Sequence, residues 1–98
     1  MIERRIIVDK STLVLYTRSR CPLCDKAKKI VLELQEEWDF IFQEMDIDSS
    51  DELTEKYGIM IPVVEIDGEE IQYGQIDHLT ISEAFSEKSK SLPQINGQ

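Results

Sequence analysis

The sequence predicts an α/β domain of order β-α-β-α-β-β-α, with a mixed four-stranded sheet and helices on both faces. Three observations carry this. An apolar run, Thr12 to Tyr16 (TLVLY), leads through a polar loop into a helical stripe and a second β-rich run, which makes a parallel crossover. Asp67-Gly68 lies between two more β-rich runs and marks an antiparallel hairpin. A last amphipathic segment then closes the domain.

The elements follow in order. TLVLY is short, apolar and β-rich, as in strands buried on both faces. Thr17 to Arg20 is a loop, and Pro22 suits the first position of a helix, where its missing N–H costs nothing. Ala27, Val31, Leu34 and Trp38, with Ile30 beside them, form one apolar stripe at helical spacing. Phe40 to Ile47 reads as the second strand. Ser49 and Glu52 have capping-box spacing for a short helix that turns Leu53 and Tyr57 to the core and stops at Gly58. Pro62 to Ile66 and Glu70 to Tyr73 are the hairpin strands. The acids Glu65, Asp67, Glu69 and Glu70 are expected on a solvated hairpin. The last helix, Ile76 to Glu87, carries Leu79, Ile81, Ala84 and Phe85.

The chain has 98 residues, enough for one small core. We divide it into an N-terminal arm (1–11), with a short extra strand through Ile6-Ile7-Val8, a domain (12–87), and a polar, flexible tail (88–98). The net charge of −9 argues against nucleic acid and against an anionic membrane surface. No segment reaches the roughly 20 apolar residues of a membrane helix. MIERRIIVDK holds only a short apolar run, Ile6 to Val8, too short for a secretory signal. A cytoplasmic monomer is expected. Within the acidic chain, Tyr16 to Ile30 holds five basic residues (Arg18, Arg20, Lys26, Lys28, Lys29) against Asp25 alone.

That basic stretch contains both cysteines, in Cys21-Pro22-Leu23-Cys24. Three roles are open to such a pair. A structural staple fits poorly, because cytoplasmic disulfides are rare and so short a loop restrains little chain. Structural zinc needs four ligands. The chain offers two cysteines and His78, which is expected as an exposed helix residue. A metal or iron–sulfur site shared between two chains stays open. Redox exchange fits best. Cys21 falls at the helix N-cap, where unpaired N–H groups, the helix dipole, Arg18 and Arg20 all favour its thiolate. Cys24 lies one turn inside, less exposed and less acidic. A C-x-x-C at a helix start within a βαβ pattern is a redox signal. Pro62, judged from local sequence alone, would follow a trans peptide, since cis bonds occupy only about 5–6% of X–Pro positions.

Tyr16-Thr17-Arg18 with Cys21-Pro22-Leu23-Cys24, Ile61-Pro62-Val63-Val64-Glu65-Ile66-Asp67-Gly68, and Gly74 with Asp77 before the last helix resemble a glutaredoxin of the thioredoxin-fold superfamily. Cys-Pro-Leu-Cys-Asp-Lys-Ala and Met45-Asp46-Ile47-Asp48 through Tyr57-Gly58 are similar to the small bacterial glutaredoxin-like proteins of uncertain function. The resemblance runs from Thr12 to Phe85. It implies a thioredoxin-like, glutaredoxin-type fold, with Cys21 as nucleophile and Cys24 as resolving thiol. It places Arg18 where glutaredoxins carry a lysine for the glutathione carboxylate, with Arg20 beside it. It makes Pro62 a cis-proline and Ile61 the backbone that pairs with a bound peptide or thiol. Gly74 and Asp77 complete the thiol-binding set, although Met60-Ile61 replaces the usual Thr-Val and Tyr73-Gly74 the usual Gly-Gly.

The activity so implied is thiol–disulfide exchange on protein disulfides or protein–small-thiol mixed disulfides. No bound cofactor is expected, with glutathione, another low-molecular-weight thiol or a reductase as reductant. The alternatives are a low-turnover binding module of the same fold, or the two-chain metal site.

Overall fold

The computed structural model describes the backbone of residues 6–91 and the side chains of residues 11–88. Its elements are β1 (Ile6–Thr17), α1 (Pro22–Leu34), β2 (Trp38–Asp46), a 3-10 turn (Ile47–Ser49), α2 (Asp51–Tyr57), β3 (Val63–Ile66), β4 (Glu69–Tyr73) and α3 (His78–Ser91). The strands lie in the order β2-β1-β3-β4. β1 is parallel to β2 and antiparallel to β3, and β3 is antiparallel to β4. The predicted element order and mixed sheet are both present.

Strand β1 pairs with a neighbour on each edge, and side chains of both its faces pack against helices. Leu13 and Leu15 are fully buried against α1 and α3, and Tyr16 packs on the α2 side. Ile6-Ile7-Val8 is not a separate strand. It is the beginning of β1, with Ile6 opposite Trp38 and Ile7 opposite Asp39, and the register shifts between Ile7 and Thr12. The proposed arm is therefore partly sheet, while residues 1–5 lie outside the described ones. At the other end, Lys88 to Ser91 continue α3 rather than opening the tail. Nothing in the sequence breaks a helix before Pro93, and Lys88 Nζ meets Asp67 Oδ2 at 3.0 Å. Residues 92–98 of the expected flexible tail also lie outside the description.

Two apolar layers flank the sheet. On one face Val31, Leu34, Phe40, Ile81 and Phe85 pack with Leu13 and Leu15, and the Phe85 ring stacks on Phe40 at 4.6 Å between centroids. Trp38 belongs to this core, but not as the end of the α1 stripe. The helix stops at Leu34, the chain turns through Gln35 to Glu37, and Trp38 opens β2. Its indole N–H donates to Ser82 Oγ at 3.3 Å. Leu79 stands 66% exposed, because Ile81 and Phe85 already define the buried side of α3.

The opposite face is smaller, with Ile47, Tyr57 and Val63 buried under α2. The α2 cap is Ser50, one residue after the expected Ser49. Ser50 Oγ accepts from Leu53 N at 3.1 Å, while the Ser49 hydroxyl donates to Asp46 O and closes the preceding 3-10 turn. Gly58 ends α2 in right-handed geometry (φ −54°). The reason for glycine is space, since a Cβ would sit 2.5 Å from the Thr54 carbonyl oxygen.

The hairpin turns at Asp67 (φ 52°) and Gly68 (φ 84°), both left-handed, as a tight two-residue hairpin turn requires. Its acids are not all solvated. Glu65 accepts from the hydroxyls of Tyr16 (3.1 Å) and Tyr57, whose rings lie 4.5 Å apart. Burial first, then the Glu65 carboxylate, pushes both phenols above the usual tyrosine range. Asp67 binds Thr12 N and Lys88. Glu65 lies on the interior strand β3, shares a face with Val63 and turns inward, whereas Glu69 and Glu70 lie on the edge strand β4 and stay exposed.

Candidate functional site

Strand direction assembles the site. Thr17 lies opposite Asp46, Tyr16 opposite Val63, and Val63 opposite Tyr73. Hence the segments after β1, after β2, before β3 and after β4 all emerge at one end of the sheet. They carry Arg18 to Cys21, Ile47 to Ser50, Gly58 to Pro62, and Gly74.

Cys21 is the N-cap of α1, with extended backbone (φ −122°, ψ 98°) and Pro22 next to it. Arg20 adopts φ 57°, which turns the loop into the helix. The N–H of Cys24 donates to Cys21 Sγ at 3.2 Å. Cys21 and Cys24 are joined as a disulfide, with their Cα atoms 5.1 Å apart. Cys24 is 3% exposed, while Cys21 is only half-buried. The arrangement is one accessible sulfur at a helix N-terminus and a second beneath it.

Arg18 reaches back along this end of the sheet to Asp48. Its Nε lies 3.2 and 3.3 Å from the two carboxylate oxygens, and its second terminal nitrogen 2.9 Å from one of them. Lys28 pairs with Glu44 at 3.1 Å, and Glu44 also accepts from the Thr17 hydroxyl at 3.2 Å. Two of the five basic residues around the dithiol are thus neutralised by β2 and the turn that follows it. Neither carboxylate was singled out from the sequence. Asp48 lies 30 positions from Arg18, and only the parallel register of β1 and β2 brings the two together.

The Ile61–Pro62 peptide bond is cis. This is what the family resemblance implied and local sequence odds did not. Pro62 is buried, and the N–H of Ile61 donates to Tyr57 O at 3.2 Å. Gly74 has φ 79°, a glycine conformation, and its N–H lies 3.0 Å from Met60 O and 2.8 Å from Pro62 O. A Cβ there would touch nothing, so backbone conformation rather than space calls for glycine. Tyr73 is 57% exposed.

Asp77 caps α3. Its carboxylate accepts from Thr80 N (2.8 Å), the Thr80 hydroxyl (3.0 Å) and Gln72 Nε2 (2.9 Å), and its own N–H returns to Gln72 Oε1. The Gln72 bond above all, then those from Thr80, holds its carboxyl below the usual aspartate range. His78 pairs with Glu37 at 2.9 Å. Among the described residues no cluster of three His, Cys, Asp or Glu could hold a metal ion, and no helix is long and apolar enough to cross a membrane.

Known proteins match this arrangement. The glutaredoxin-like domain family (DUF836) covers residues 12–86. Protein Ne2328 of Nitrosomonas europaea, solved by NMR, superposes with a TM-score of 0.68 at 26% identity, over 78% of this chain and 92% of that one. Protein XcR50 of X. campestris gives 0.65 at 26% identity, over 76% and 96%. A mutant thioredoxin from Halobacterium salinarum gives 0.66 at 21% identity, over 86% and 79%, and shares the fold. Together with the paired cysteines at the start of α1, these matches support a thiol-based redox role. The chain belongs to the glutaredoxin-like domain family and has the thioredoxin fold.

Proposed function

We propose that the protein is a thiol–disulfide oxidoreductase that reduces protein disulfides or protein–small-thiol mixed disulfides. The carrying observation is the Cys21–Cys24 pair, with one sulfur half-exposed at the helix N-terminus and the other buried one turn behind it. In the reduced protein the N–H of Cys24 and the start of α1 favour the Cys21 thiolate. That thiolate attacks one sulfur of the substrate disulfide. The other sulfur leaves as a thiolate and takes up a proton. Cys24 then loses its proton and attacks Cys21 Sγ. The second substrate sulfur departs, and two electrons have passed from protein to substrate. A low-molecular-weight thiol or a reductase returns the disulfide to the dithiol. A protein so recycled suits a reducing, cytoplasmic setting.

The test is intact mass across a series of reduced and oxidised glutathione ratios, on wild type and Cys24→Ser. A reversible loss of two hydrogens in the wild type, with one thiol trapped on Cys21 in the variant, is the expected result. Thiols that stay reduced at every ratio would overturn the proposal.

A further inference from the structure

Arg18 is a guanidinium three residues before the reactive Cys21, at the end of the sheet where the dithiol opens. A free guanidinium there would anchor a carboxylate through parallel N–H donors. Arg18 is not free, because the Asp48 carboxylate already occupies it through contacts of 2.9, 3.2 and 3.3 Å. Asp48 is itself held in place: its N–H donates to Asp46 Oδ1 at 2.9 Å, and Asp46 lies opposite Thr17 at the end of the β1–β2 ladder. A small thiol carrying carboxylates would therefore meet Asp48 on Arg18, with Asp46 close by.

Two backbone N–H groups at this end are also occupied from within. The N–H of Ile61 is on Tyr57 O, and that of Gly74 on Met60 O and Pro62 O. Three apolar residues face solvent here, Leu23 between the two cysteines, Ile59 ahead of the cis-proline and Tyr73 at the end of β4, alongside the exposed Arg20 that precedes Cys21.

We infer that Asp48 biases the substrate class of the dithiol: by occupying Arg18 it disfavours carboxylate-bearing small thiols relative to polypeptide disulfides flanked by uncharged, apolar residues, which would meet the exposed Leu23, Ile59 and Tyr73. The inference rests on the oxidoreductase reading above. Asp48 acts here through Arg18, as a specificity-determining residue that does not touch the reacting sulfurs.

The test uses the pre-reduced full chain in single turnovers, with chemical quenching and mass readout of the Cys21–Cys24 disulfide. Each substrate disulfide takes two electrons and two protons from the dithiol and yields two thiols. Three substrates are compared: oxidised glutathione, which is anionic; hydroxyethyl disulfide, which is uncharged; and a capped cystine peptide with leucines flanking each half-cystine. Wild type should react faster with the peptide than with oxidised glutathione. Asp48→Asn should raise the glutathione rate, relative to hydroxyethyl disulfide, by about fivefold, the reach of an exposed ion pair. The gain should shrink at high salt and vanish when Arg18→Gln is added to Asp48→Asn. An unchanged ratio, equal changes for both small disulfides, or a wild-type preference for glutathione would overturn the inference. A wild type unreactive toward all three disulfides would instead overturn the oxidoreductase reading, and the inference with it.

Discussion

Removing the Tyr57 hydroxyl should destabilise the protein although it lies outside the dithiol. Tyr57 is 1% exposed, and its hydroxyl donates to Glu65, which also accepts from Tyr16 at 3.1 Å. A hydrogen bond to a charged group contributes about 1.5–3 kcal/mol net. Tyr57→Phe should therefore lose about 2 kcal/mol and lower Tm by about 10 °C for a domain of this size. Glu65→Gln leaves one oxygen to serve two hydroxyls and should cost a similar amount. The double variant should lose less than the two together, with a coupling of at least about 1 kcal/mol. Alkaline pH gives an independent check. Both phenols are held above the ordinary tyrosine range in the native protein. Their contribution is complete below about pH 10, where unfolded tyrosines begin to ionise, and is lost as pH rises toward the native values. Urea titrations followed by Trp38 fluorescence at pH 7 and pH 10.5 would show a steep alkaline loss in wild type and a shallower one in Tyr57→Phe. A change below about 0.5 kcal/mol at pH 7, or equal alkaline losses in the two proteins, would refute the reasoning.

Further outcomes are expected elsewhere. Reduced Cys24→Ser should alkylate at Cys21 with a midpoint below the roughly pH 8.5 of a free thiol; a midpoint there or above would remove the N-cap argument. Gly58→Ala keeps an allowed helical φ yet drives its Cβ against Thr54 O, so chemical denaturation should show a loss of about 1–3 kcal/mol. Asp77→Asn should melt below wild type at pH 7. Because the Asp77 carboxyl is held low, its advantage is present above about pH 4 and fades as pH falls further, so the two melting curves should converge in acid.

The sequence by itself determined the element order and the place of the chemistry, because those signals are local. TLVLY, the stripe Ala27-Val31-Leu34 and the Asp67-Gly68 turn each act within a few residues, and each element stands where its pattern put it. Cys21 as N-cap follows from the same short range, a proline at the next position and an apolar stripe beyond. Tertiary structure decided what local patterns leave degenerate. Ser49 and Ser50 are both competent caps, and the 3-10 turn after β2 took Ser49. Trp38 fits a helical stripe and a strand equally well, and its place opposite Ile6 put it in β2. Leu79 is as apolar as Ile81, but the packing of Phe85 on Phe40 turned it outward. The charges around the dithiol depended most on the fold. Arg18 with Asp48, Lys28 with Glu44 and, away from the dithiol, Glu65 with Tyr16 join residues far apart in the chain. Hydropathy and spacing describe one segment at a time, whereas the partner of a charge is set by strand register and strand face.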